Sequence, residues 1–219
     1  MIIILTPIGA GYDEDQHLIR IWQLSNWKMI PREESAKTAL FPEIYFDLSY
    51  RKQALVGPVG FDFWKKYGGA ELYEYGYHYG TVSTRSNYSP PLLLPHAIVM
   101  RYLGRALNFP ALPVYYATRF SGLLAYILLT WIAIRIIPYG KWLIFVLAIS
   151  PTAIYQASTL GADTITNGIG FLFIAGVLAV HNNKSVLNWR HAGVLALLFS
   201  LLFFAKPNLI PLGLLPFLI

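Results

Sequence analysis

The sequence predicts an all-α polytopic membrane protein, and three observations predict it. Of the 219 residues, 56% are hydrophobic and only 13% are charged, against ~25% charged in an ordinary soluble domain. Mean hydropathy is +0.49. After Pro113, apolar runs follow one another with short polar connections, as expected of helices that satisfy their own backbone in hydrocarbon.

The chain reads in three parts. Residues 1–11 are an apolar run with no basic leader or cleavage site, so they do not make a signal peptide. At ~1.5 Å per residue such a run crosses about half of a ~30 Å hydrocarbon core, and it reads as the end of a truncated first transmembrane helix. Residues 12–112 form a large extracytoplasmic first loop with short amphipathic or interfacial helices. Turn signals at Gly57-Pro58, Gly68-Gly69 and Pro90-Pro91 punctuate it. Its dense tyrosines argue against disorder and suit the headgroup level. Residues 113–219 form the transmembrane bundle, with spans expected at 114–137, 142–160, 164–181 and 191–205 and a last, incomplete one at 207–219. Pro151 is expected to kink the second of these. The chain reads as clipped at both ends.

Charge placement sets the orientation. Every acid except Asp163 lies in residues 12–112, together with most of the Lys and Arg. The net charge of +6 therefore arises almost wholly in the apolar part. A pI near 9.4 would suit nucleic acid, but cations at helix ends are explained by membrane topology. The connections holding Arg135 and Lys141, and Lys184 and Arg190, outweigh the alternate ones, which hold Lys206 alone. This places the first pair in the cytoplasm and the large loop, Asp163 and Lys206 on the outer face. The absence of Cys excludes disulfides, thiolate metal sites and Cys nucleophiles. Gly-rich phosphate loops, HExxH and GxSxG are also absent.

The densest polar cluster runs from Tyr12 to Arg20. On a helix, Asp13, His17 and Arg20 stand at i, i+4 and i+7 on one face, with Leu18, Ile21 and Trp22 on another, as in a helix lying along the membrane surface. Three acids here offer a general base or a ligand for a divalent cation; equally, they complement a helix dipole. Asp163 closes an uncharged span and reads either as a functional carboxylate or as the N-cap of the next helix. Arg119, one turn into its span, reads as a snorkelling side chain or as the partner of a lipid headgroup or of a carboxylate such as Asp13. Lys206, before Pro207, suits a phosphate or marks a loop.

Asp13-Glu14 with His17 and Arg20, Tyr88 to Leu92 (Tyr-Ser-Pro-Pro-Leu), Arg119, Pro151, Ala157-Ser158 to Asp163 and Lys206-Pro207 come in an order that resembles a bacterial and archaeal family of membrane proteins of unknown function, domain-of-unknown-function family 2142. That family in turn resembles the GT-C glycosyltransferases, which take a sugar from a polyprenyl-phosphate carrier on the outer face. The resemblance implies a GT-C-like helix bundle and an inverting transfer to a cell-surface acceptor. Asp13, with Glu14 second, would be the catalytic acid of the first outer loop. His17, Arg20, Arg119, Lys206, Asn87 and Tyr88 would hold the lipid phosphate or substrate. Asp13 and Asp163 would carry a divalent cation, magnesium or manganese, if one is used. The implied partners are the bilayer and the polyprenyl-phosphate-linked sugar, with no nucleic acid, in the cell membrane. Two other readings stand beside it: a non-enzymatic transport or headgroup-binding protein, and an inactive fragment of a longer gene. Few polar residues cross the spans after residue 140, which weighs against transport.

Overall fold

The computed structural model describes residues 2–6, 8–9, 11, 13–29, 38–42, 44–45, 65, 68–70, 77–81, 90–182 and 188–218. Within them the fold is helical. Helix α1 (Ile2–Leu5) and α2 (Glu14–Ser25) precede two strands, β1 (Thr38–Pro42) and β2 (Tyr77–Thr81), and α3 (Pro90–Arg101) follows. The strands pair antiparallel, with Thr38 opposite Thr81 and Pro42 opposite Tyr77. A π-helical stretch, Tyr102–Ala106, leads from α3 to α4 (Ala111–Ile136). Then come α5 (Lys141–Ala148), α6 (Pro151–Ala157), α7 (Ala162–Asn182) and α8 (Trp189–Ala205). Pro207–Leu214 winds as a 3-10 helix, and Leu215–Leu218 follows it as α9.

Two of these helices, α4 and α7, are long and apolar enough to cross a membrane. Helix α4 shows why. Tyr115, Thr118, Arg119, Gly122, Tyr126, Thr130 and Ala133 recur at helical spacing and are buried, while Phe120, Leu124, Ile127, Leu128 and Trp131 remain exposed on the other face. An apolar outer face over so many turns is a surface for lipid, not water. Helix α7 packs along the inner face of α4. Gly168 allows the approach, since a Cβ there would lie 2.9 Å from Leu129 Cβ.

The expected kink at Pro151 is a full break. Ser150 has extended backbone and accepts the N–H of Ala153, so α6 starts afresh with Pro151 in its first turn, where a missing N–H costs nothing. Helix α5 runs back along α4, and the Tyr126 hydroxyl donates to the Ala148 carbonyl at 3.0 Å. Pro207 opens the 3-10 helix, where its missing N–H costs nothing, and Pro211 lies inside it, where it removes a helical donor. Gly213 brings this segment against the ring of Phe199 on α8.

The main core lies where α2 and α3 meet the first turns of α4 and α7. Ile21, Leu92, Leu93, Met100, Ala111, Leu112 and Phe173 belong to it. The surface helix expected around Asp13 to Trp22 is corrected here. Ten of the twelve residues of α2 are buried, including the polar stripe Glu14, His17, Arg20 and Gln23. That stripe faces inward because each member has a partner or packing within the bundle, not because it is apolar. The segment before α4 is pinned as well. Ala111 N–H donates to Ala70 at 2.9 Å, and the Tyr45 hydroxyl to Ala111 at 3.2 Å.

Candidate functional site

The start of α4, the start of α7 and the end of α8 lie at one end of the bundle, and the α2 polar residues gather there. Glu14 is the centre. Its Oε1 accepts Arg119 Nε and Leu160 N–H, both at 2.8 Å. Its Oε2 accepts Arg119 Nη2 at 2.8 Å and Gly11 N–H at 2.9 Å. Arg119 Nη1 donates to the carbonyls of Ile3 at 3.0 Å and Thr6 at 2.6 Å, and its guanidinium lies 4.8 Å from the Tyr115 ring centre. Both charged side chains are fully buried. A buried ion pair survives only when each charge is also hydrogen-bonded, and here that condition is met.

This geometry corrects two expectations. Glu14 is sealed and its oxygens are occupied, so it holds the site together and is not placed to take a proton from a substrate. Arg119 is committed to a carboxylate, the one next to Asp13, and is not presented to a lipid phosphate. Arg20 departs likewise. Its Nη1 donates to Gln23 Oε1 and the Lys28 carbonyl, both at 3.1 Å, and its Nη2 to Met29 at 2.6 Å. It ties down the chain after α2 and is only 1% exposed. Asn87 and Tyr88 lie outside the described residues.

Asp13 behaves differently. It occupies the position before α2 with φ 52 and ψ 22, in the left-handed region, and its side chain makes no capping bond. Asp tolerates this conformation better than most residues, at some cost in strain. The residue is half-buried, and its charge is felt at His17, one turn along α2. His17 is 4% exposed; burial lowers its pKa, against the opposing pull of Asp163, Asp13, Glu14 and Asp15. Asp163, in the first turn of α7, pairs with Lys206 at 2.7 Å, with side chains 31% and 39% exposed. Asp13, Asp163 and Lys206 are therefore the partly exposed members of a polar group around the buried His17, on the same helix as the sealed Glu14. Among the described residues no three His, Asp or Glu side chains are placed to hold a metal ion, and Asp163 is already engaged by Lys206.

Sequence reasoning missed the second layer. Gln156 accepts Asn167 Nδ2 at its side chain and Thr164 Oγ1 at its carbonyl, both at 2.8 Å, fixing the start of α7 against α6. His96 on α3 is 0% exposed, and neither ring nitrogen has a hydrogen-bond partner among the described residues. It fits because residue 122 is Gly: a Cβ there would lie 2.2 Å from His96 Nε2. A single His in an apolar run opposite a mid-helix Gly was the available signal.

Long apolar helices with a buried charge pair at one end, and partly exposed acids and a cation at the same end, define a helical membrane protein with a polar site at the bundle end. The chain belongs to the DUF2142 family, described as predicted membrane proteins, whose profile matches residues 1–219. No curated protein and no solved structure matches it.

Proposed function

We propose that the protein is a GT-C-like glycosyltransferase that uses a polyprenyl-phosphate-linked sugar on the outer face of the membrane. The carrying observation is Asp13: a half-buried acid with no capping bond, adjoining a glutamate locked to α4 and to the turn before α7, and sharing the neighbour His17 with Asp163 of the partly exposed ion pair. Asp13 takes the proton of the acceptor hydroxyl as its oxygen attacks the anomeric carbon. The bond from that carbon to the phosphate oxygen breaks with its electron pair, the carrier phosphate leaves, and the configuration inverts. Lys206 exchanges Asp163 for the phosphate and meets the growing negative charge. His17 positions Asp13. The Lys and Arg distribution supports the outward placement of this end.

The test is turnover of a lipid-linked sugar by the full chain in vesicles. General base catalysis contributes ~10²–10⁴-fold, so Asp13→Asn should lose activity on that scale while remaining folded in detergent. Asp15→Asn should be mild. A variant at Asp13 that keeps more than half the activity excludes the role. The exchangeable Lys206–Asp163 pair also supports a second reading, headgroup binding without chemistry. In that case Lys206→Gln weakens lipid binding and no turnover is found in any form.

A further inference from the structure

The opposite end of the bundle holds an apolar crevice. Ile136 in the last turn of α4, Gly176 and Val180 of α7, and His191, Val194 and Leu195 of α8 line a cavity of about 390 Å³. Gly176 creates the close approach of α7 and α8, since a Cβ there would lie 3.0 Å from Leu195 Cδ2. Ile136 and Val194 are 43% and 56% exposed, so the crevice reaches the surface between the ends of α4 and α8. Water gains little between such walls, whereas a lipid chain matches them.

Charge specifies the head of that lipid. Arg135 in the last turn of α4, Lys141 in the first turn of α5 and Arg190 in the first turn of α8 lie at this end, and the sequence offers them no acidic neighbour: residues 75–219 contain one acid, Asp163, at the other end of α7. The guanidinium of Arg135 lies 5.5 Å from the Trp131 ring centre and that of Arg190 5.5 Å from that of Trp189. Arg and Trp together are the residues of a membrane–water boundary. We propose that this end binds an anionic phospholipid, with an acyl chain in the crevice and the phosphate against Arg135 and Arg190. The site is separate from Asp13 and stands whether or not the protein transfers sugar.

The full chain carrying a benzoylphenylalanine photoprobe at Val194, in vesicles of phosphatidylcholine and phosphatidylglycerol, tests this. Illumination should yield a phospholipid adduct enriched in phosphatidylglycerol over its share of the bilayer. A cation near the surface contributes about fivefold and two roughly thirtyfold, so the enrichment should fall in that range. Arg135→Gln with Arg190→Gln should return the adduct to the bulk ratio, with size-exclusion elution unchanged. Native mass spectrometry of the unaltered chain should show phosphatidylglycerol retained over phosphatidylcholine. Adducts in bulk ratio on the wild-type background would overturn the headgroup assignment, and a cross-linked dimer in place of a lipid adduct would give the crevice to a second copy.

Discussion

Glu14 and Arg119 show how one residue's role can be hidden by its neighbours in sequence. The pair is separated by 105 positions, and no local spacing connects them. Asp13, His17 and Arg20 were legible as a polar set because they share a helical period. Which acid would be sealed and which exposed was not, because that depends on where α4 and the Leu160 amide arrive. The energetic consequence is asymmetric. Removing one member of a buried pair leaves the other charged in a low-dielectric setting, at a cost of about 3–5 kcal/mol. Glu14→Gln should therefore lower the thermal midpoint sharply in detergent, and Glu14→Gln with Arg119→Gln should recover part of the loss. An Asp15→Asn control should leave the midpoint nearly unchanged. If Glu14→Gln melts with the wild type, the pair does not hold this end together.

At the scale of elements, α4, α7 and α8 were readable because apolar length and self-contained hydrogen bonding are sequence properties, whereas the expected 142–160 span is two helices and Pro207–Leu214 winds as a 3-10 helix. The placement of α2 and α3 was not. The polar residues of α2 argued for a wet face, yet α2 lies against α3 and its polar stripe is turned inward. His96 records this packing in a measurable form. Burial, with neighbouring His17 adding to it, lowers its pKa from 6.5 to about 3. Folded, it stays neutral; unfolded, it takes up a proton below the ordinary imidazole value. Unfolding therefore binds protons, and stability rises with pH in this window. The contribution is unaffected above about 6.5 and declines as pH falls toward about 3, by ~1.4 kcal/mol per unit. Between pH 6.5 and pH 5 the loss should be roughly 2 kcal/mol, and His17, whose pKa is lowered too, should add to it. Thermal unfolding at pH 7.5 and pH 5 reads the difference. His96→Phe should flatten the dependence, and an equally steep profile in that variant would mean the histidine is not the titrating group.

Over the whole molecule, hydropathy alone implied that the ends of α4, α7 and α8 nearest Asp13 would share a level. The ion pair between Asp163 and Lys206 and the bond from Leu160 to Glu14 agree with that arrangement. What side of the membrane that level faces rests on charge. Arg135 and Lys141 sit at one end of the bundle, in a stretch of sequence without acids, and Asp13 and Asp163 belong to the other. The proposed use of a lipid-linked sugar requires Asp13 to face outward, the orientation expected from the bias of Lys and Arg toward the cytoplasm. The chain has no native Cys, so single cysteines report position without background. Gly69 is exposed with no heavy atom within 4 Å of a built Cβ, and Tyr139 is 52% exposed in the turn between α4 and α5. Gly69→Cys should react with an impermeant maleimide in intact cells. Tyr139→Cys should react only after the membrane is opened. The inverse pattern would turn the bundle over, place Asp13 on the cytoplasmic face and remove the outer-face transferase, while leaving the lipid crevice beside Arg190 to be tested against the opposite leaflet.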